Sequence, residues 1–246
     1  MTDSQVKTHA TRASIVILHG WRKSGTDYSQ IKKIFEQKGY SVFAPDLPGF
    51  GKEPIGRKVM RIDDYVLFVK TYFKNHHISQ AVLIGHSFGG RVAAKFTSEN
   101  PGLVSHLIVT GAPLIKQPLS FKKMLIMLPA KAGKLVLDKV PVIAKNARKV
   151  LYYMLGEWDY YKATPEIKET FKAVIAEDLV GVLPKISVPT LVLWGEKDTF
   201  VSTRIGKQIS KNVKNATYKE IPDASHKLPY ESPSVFAQAV LQFITK

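Results

Sequence analysis

Cysteine is absent from the 246-residue chain, which removes disulfides, thiolate zinc sites and cysteine nucleophiles together. Covalent chemistry must therefore run on oxygen or nitrogen. Long apolar runs are missing too. The first hydrophobic stretch, Ser14–Leu18, is only a strand long, and nothing approaches the roughly 20 residues that span a bilayer. The opening MTDSQVKTHATRA lacks the apolar segment of a secretory leader. The expectation is a soluble cytoplasmic protein in which the sequon Asn215-Ala216-Thr217 stays idle. Acidic residues are scarce, 20 against 36 Lys and Arg, for a formal net charge of +16. Such an excess favours acidic partners, anionic membranes or nucleic acid. Half of it lies in residues 115–150, where nine basic residues stand against Asp138 alone. Hydrophobic residues at 45% and charged residues at 23% fit a globular chain and exclude disordered and fibrous classes. The length suits one α/β unit carrying an insertion.

Short apolar, β-branched runs recur at Ser14–Leu18, Tyr40–Ala44, Ala81–Gly85, His106–Thr110, Thr190–Trp194 and Thr217–Ile221. Between several of them lie helical patterns, such as Ile62, Tyr65, Val66, Val69 and Phe73. This alternation predicts an α/β fold: a mostly parallel sheet of about six strands with helices on both faces. A last helix opens with Ser232 and Pro233 and carries Val235, Phe236, Ala239, Val240, Phe243 and Ile244 as its stripe. Alternation stops between Gly111 and Pro189. The division that follows is a core of residues 1–113 and 186–246, with a helical cap insertion at 114–185. The cap's final helix starts at Thr164-Pro165 and places Ile167, Phe171, Val174, Ile175 and Leu179 on one face.

At the end of the third run stands Gly85-His86-Ser87-Phe88-Gly89-Gly90, a G-x-S-x-G pattern that leads into a helix-compatible stretch. A strand that turns sharply into a helix holds its central residue in a strained conformation, and small neighbours two places away avoid a clash. Ser87 Oγ then projects above the sheet. The helix that follows adds partial positive charge and leaves the Phe88 N–H free to donate. Three further groups fall just past strand ends, where open α/β sheets bind ligands. His19-Gly20-Trp21 offers a backbone N–H as a second oxyanion donor. Asp198 follows the fifth run and His226 the sixth, so the chain order is Ser…Asp…His.

Together with Asp46-Leu47-Pro48-Gly49-Phe50-Gly51 and Pro189-Thr190-Leu191-Val192-Leu193-Trp194-Gly195, these motifs resemble the α/β-hydrolase superfamily over nearly the whole chain. His19-Gly20-Trp21 and the Asp46 run look most like serine carboxylesterases of the kind that includes the pimeloyl-carrier-protein methyl esterases. Only thirteen residues precede the first clear strand, too few for the leading antiparallel hairpin usual in that superfamily, so a trimmed sheet is expected. Arg22 and Lys23 also depart from the small residues common after the oxyanion tripeptide. The resemblance implies a cofactor-free and metal-free carboxylic ester hydrolase. Ser87 is its nucleophile, His226 its base and Asp198 its orienting acid, with the Trp21 and Phe88 N–H groups as oxyanion donors. Aspartate-dependent dehalogenases and epoxide hydrolases of this fold are disfavoured by Ser87.

Other readings stand beside that one. A hydrolase-fold binding protein or receptor with little turnover would carry the same residues. The pair His226-Lys227 resembles plant hydroxynitrile lyases, although their oxyanion-loop threonine has no counterpart here, and Lys227 reads as a solvated loop charge. Gly51–Lys58 lacks the ending of a phosphate-binding loop, and the adjacent His76 and His77 lack metal-ligand spacing. Arg91 reads as structural, with Asp46 as its partner. The basic cap reads first as a solvated face, then as a contact for an anionic membrane surface or an acidic carrier. Nucleic acid is not expected, since no recognition motif accompanies the charge.

Overall fold

The computed structural model describes residues 12–116 and 163–246. The basic stretch from residue 117 onward and most of the expected cap therefore lie outside the described residues. Six strands form one sheet: β1 Arg12–Leu18, β2 Tyr40–Phe43, β3 Ala81–His86, β4 Val104–Thr110, β5 Thr190–Gly195 and β6 Ala216–Ile221. All neighbours are parallel, in the order β2-β1-β3-β4-β5-β6. The α/β fold read from the alternating runs is thus the observed one.

The runs are continuously apolar because helices cover both faces. Along each strand the period of two splits the side chains between two cores. Val16, Leu18, Leu83, Val109 and Trp194 pack with helices α2 (Ile62–Asn75), α3 (Phe88–Glu99) and α5 (Thr203–Asn212). Ile15, Ile17, Ile84 and Leu193 pack with α1 (Ser29–Gln37) and α7 (Pro233–Ile244). From β1 the chain goes to β2 on one side, and β3 lies on the other. The carboxyl ends of β1 and β3 thereby flank the switch point where such sheets open a crevice.

Helix α4 (Pro165–Ala176) begins where Thr164-Pro165 predicts it, with the Thr164 hydroxyl accepting the Ile167 N–H at 3.4 Å. Its buried residues differ from the expected stripe. Thr170 and Val174 are buried, Ile175 is 49% exposed, and Leu179 lies beyond the helix end. Ile175 sits one step of about 100° round from Val174, and α4 docks through a polar contact that hydrophobic periodicity does not register. The Met60 N–H donates to Thr170 Oγ1 at 3.0 Å. Val235 of α7, also expected on a buried stripe, is 45% exposed. A one-turn helix, α6 (Leu228–Glu231), precedes α7. Among the described residues no helix is long and apolar enough to cross a membrane.

Arg91 is structural, but Asp46 is not its partner. The Asp46 carboxylate is filled by two backbone donors, Gly25 N–H at 2.7 Å and Lys52 N–H at 2.8 Å. The buried Arg91 guanidinium instead donates to the carbonyls of Pro113, Val174 (2.9 Å) and Glu177 (2.6 Å). These carbonyls come from chain on both sides of residues 117–162, so one side chain on α3 holds Pro113, Val174 and Glu177 to the core. Removing it leaves buried carbonyls without donors. Arg91→Met is expected to cost about 2–4 kcal/mol in urea unfolding. Arg91→Lys should recover less than half of that, because a single ammonium cannot span the fork. A loss below about 0.5 kcal/mol for Arg91→Met, the range of ordinary surface changes, would contradict the clamp.

Candidate active site

Ser87 occupies the junction of β3 and α3 with φ 53° and ψ −113°. An L-residue adopts such a backbone only when its surroundings enforce it. Here the enforcement is packing. A Cβ on Gly85 would lie 2.6 Å from Gly90 Cα, and one on Gly89 would lie 2.1 Å from the Leu18 carbonyl oxygen. Glycine at these two positions lets α3 start directly against β1 and β3. The Ser87 N–H donates to the Thr110 carbonyl at 2.9 Å, which ties the turn to the end of β4. Ser87 itself is only half-buried.

His226 lies in the loop after β6 and Asp198 in the loop after β5. His226 Nδ1 donates to Asp198 Oδ2 at 2.8 Å, and the Asp198 side chain is 1% exposed. Asp198 Oδ1 accepts the Phe200 and Val201 N–H groups at 2.9 and 2.8 Å. These donors fix the rotamer of the carboxylate. Buried Trp194 secures the same turn through its Nε1–H, which donates to the Val201 carbonyl at 2.9 Å. Glu196, the nearest other acid in sequence, faces away and accepts the Asp223 N–H at 3.0 Å. The structure therefore pairs Asp198 with His226. Among the described residues no hydrogen bond joins Ser87 Oγ to His226.

The turn after β1 is held by its own histidine. Buried His19 donates from Nδ1 to the Gly20 carbonyl at 2.8 Å, and its Nε2 accepts the Leu47 N–H at 2.8 Å. Burial holds its pKa below the ordinary histidine range, which keeps the neutral tautomer these contacts need. The Gly20 N–H is committed to the Tyr28 hydroxyl at 3.1 Å. The Trp21 N–H has no acceptor among the described residues. Phe88, as the first residue of α3, has no intrahelical acceptor for its N–H. The Trp21 ring packs edge-on against Phe50 at 4.8 Å and Phe88 at 5.1 Å, and it tilts against Phe171 of α4 at 4.9 Å. An aromatic wall thus rises on one side of the serine turn. On the other, Phe200 is 68% exposed and lies over the His226 ring at 5.2 Å. Lys227 is exposed and pairs with Glu231 at 3.4 Å.

Two features here escaped the sequence reading. Gly111 has φ 57°, and a Cβ there would sit 2.8 Å from His226 Cε1 and 3.4 Å from Asp198 Oδ2. The glycine leaves room for the imidazole, and only the break in the strand pattern after Thr110 hinted at it. The other is His86, whose ring lies 5.0 Å from that of His226. Gly111→Ala should displace His226 and slow fluorophosphonate labelling of Ser87 roughly 100-fold, the scale of a one-ångström misplacement. Labelling at the wild-type rate would mean that the imidazole position is immaterial to Ser87.

Comparison with known proteins gives the family. The family described as serine aminopeptidase, S33, matches residues 9–233. An uncharacterized hydrolase of Bacillus subtilis (strain 168), YugF, is 26% identical over 95% of this chain and 90% of its own. A 2-hydroxy-6-oxononadienedioate/2-hydroxy-6-oxononatrienedioate hydrolase of Cupriavidus pinatubonensis is also 26% identical, over 96% of this chain and 88% of its own. Among solved structures, a thermophilic esterase from Thermogutta terrifontis superposes with a TM-score of 0.72 at 22% identity, covering 96% of this chain and 90% of that one. With a family match over most of its length and a parallel sheet of this order, the chain belongs to the serine aminopeptidase S33 family of α/β-hydrolases.

Proposed function

We propose that this member of the family is a serine esterase that cleaves carboxylic esters through an acyl-enzyme. The observation that carries the reading is the 2.8 Å bond from His226 Nδ1 to buried Asp198. It leaves Nε2 as the free base on the same sheet edge as the strained Ser87. In the proposed cycle Nε2 takes the Ser87 hydroxyl proton as Oγ adds to the ester carbonyl. The Trp21 and Phe88 N–H groups receive the oxyanion. Collapse expels the alkoxide, which leaves with the proton held by His226. Water, deprotonated by the same imidazole, then releases the acid and restores Ser87.

Asp198 serves here as the orienting acid, since its second oxygen is already filled by two N–H groups and its first faces Nδ1. The exposed Lys227–Glu231 pair speaks for a solvated charge and against a lysine that stabilises a cyanide leaving group. The binding-protein reading stays distinct because it needs the same fold but no rate.

A series of p-nitrophenyl esters from acetate to palmitate, run beside aminoacyl p-nitroanilides and a cyanohydrin, tests the proposal. Steady ester turnover is expected, with negligible cleavage of the other two. Ser87→Ala and His226→Ala should each lose roughly four to six orders of magnitude, and Asp198→Asn somewhat less. Tight ester binding without turnover would favour the binding protein. Preference for the anilides would make it a peptidase, and full activity in Asp198→Asn would move the acid elsewhere.

A further inference from the structure

Behind the serine turn runs a chain of hydrogen bonds that the proposed cycle does not use. The Gly20 N–H meets Tyr28 Oη at 3.1 Å, Tyr28 Oη meets His86 Nδ1 at 2.6 Å, and His86 Nε2 meets the His226 carbonyl at 2.9 Å. Every direction is forced. A carbonyl can only accept, so His86 Nε2 carries the hydrogen. A neutral imidazole then presents a bare Nδ1, so the Tyr28 hydroxyl donates to it. The hydroxyl oxygen is left to accept from Gly20, whose N–H can only donate.

The chain links four segments far apart in sequence: the turn after β1, the 3-10 turn Gly25–Tyr28, the residue just before Ser87, and the loop of His226. It lies in a dry aromatic setting. Tyr28 is 1% and His86 2% exposed, and the Tyr230 ring stands edge-on to both, at 6.0 and 5.8 Å. Burial, aided by the neighbouring His226, pushes the His86 pKa down to about 3, so the ring stays neutral at any working pH. Burial likewise raises the Tyr28 hydroxyl, which keeps its proton. Asp46 holds the Gly25 N–H of the 3-10 turn, and a Cβ on Gly20 would lie 3.0 Å from His86 Nδ1 and 3.4 Å from Ser87 Cβ.

We infer that Tyr28 and His86 are positioning residues that set the distance between the oxyanion turn and the His226 main chain. This rests on the esterase reading of the site. Asp198 holds only the side chain of His226, while His86 holds its backbone, and Gly20 precedes the Trp21 N–H. One strut therefore registers base and oxyanion donor against the Ser87 turn between them. Neither residue touches the reacting atoms, so their contribution is to rate through geometry.

Tyr28→Phe keeps the ring and removes only the proton donor. We expect kcat for p-nitrophenyl butyrate to fall about ten-fold or more with KM within about two-fold, since the lost geometry matters in the transition state. Nitrogen-15 NMR of labelled protein should show His86 as the Nε2–H tautomer in the wild type, and in Tyr28→Phe the His86 Nδ1 resonance should move to that of an acceptor without a donor. The His86→Gln amide can still reach the His226 carbonyl and should retain more of kcat than His86→Leu, which offers no donor. A Tyr28→Phe kcat within two-fold of wild type, whatever its melting temperature, or a His86 Nδ1 resonance indifferent to Tyr28, would overturn the inference. Because the Nδ1 resonance is read without substrate, failure of the esterase reading remains separable: there the wild type would show no ester turnover, or Ser87→Ala would keep it, while the NMR result stood.

Discussion

The turn at Ser87 is the constraint around which the fold is arranged. A non-glycine residue at φ 53° and ψ −113° costs on the order of 1–3 kcal/mol, and the flanking packing must offset that cost. It does so through β3, every residue of which is buried, and through α3, whose Val92, Ala93, Ala94 and Phe96 sit at the bottom of the core. Gly85 and Gly89 bring helix and strand into backbone contact, so the turn cannot relax without prising α3 from β1 and β3. The strain is carried where the sheet is widest and best covered.

Around that fixed point the loops from the five other strand ends are tied down by polar contacts in place of hydrophobic ones. His19 joins the β1 turn to Leu47 beyond β2, and Asp46 joins Gly25 to Lys52. The Thr110 carbonyl receives Ser87, and Asp198 gathers its own turn together with His226. Loops have little apolar surface to bury, so directional bonds set their register. The His19–Leu47 and Asp198–Val201 ties are buried, which strengthens them. The result is a sheet edge on which side chains separated by more than a hundred residues hold fixed relative places before substrate arrives.

What could be read from the sequence follows from how local its signal is. The six strands announce themselves as short β-branched runs because their neighbours on both faces are apolar, and each lies within two residues of its expected bounds. Ser87 was legible because its strain demands glycine at fixed offsets, and Asp198 and His226 because both follow strands. Arg91 was assigned a structural role, but its acceptors are three backbone carbonyls, which no residue pattern encodes. Ile175 and Val235 match a helical period yet face solvent, because docking of α4 through Thr170 and of α7 through Phe236 and Val240 turns those helices slightly. Gly111 and the Tyr28–His86 strut were invisible for one reason: their partners lie 58 to 140 residues away in sequence, and only the folded sheet edge brings them together.

The account's central claim is that Ser87, strained and half-buried, forms a covalent bond with the acyl group. Acid quenching during turnover of p-nitrophenyl butyrate, followed by peptide mapping by mass spectrometry, tests this most directly. One butyryl group on the peptide containing Ser87, absent from Ser87→Ala, is the predicted result. Turnover with no acylated peptide, or an acyl group carried by a different residue, would contradict it.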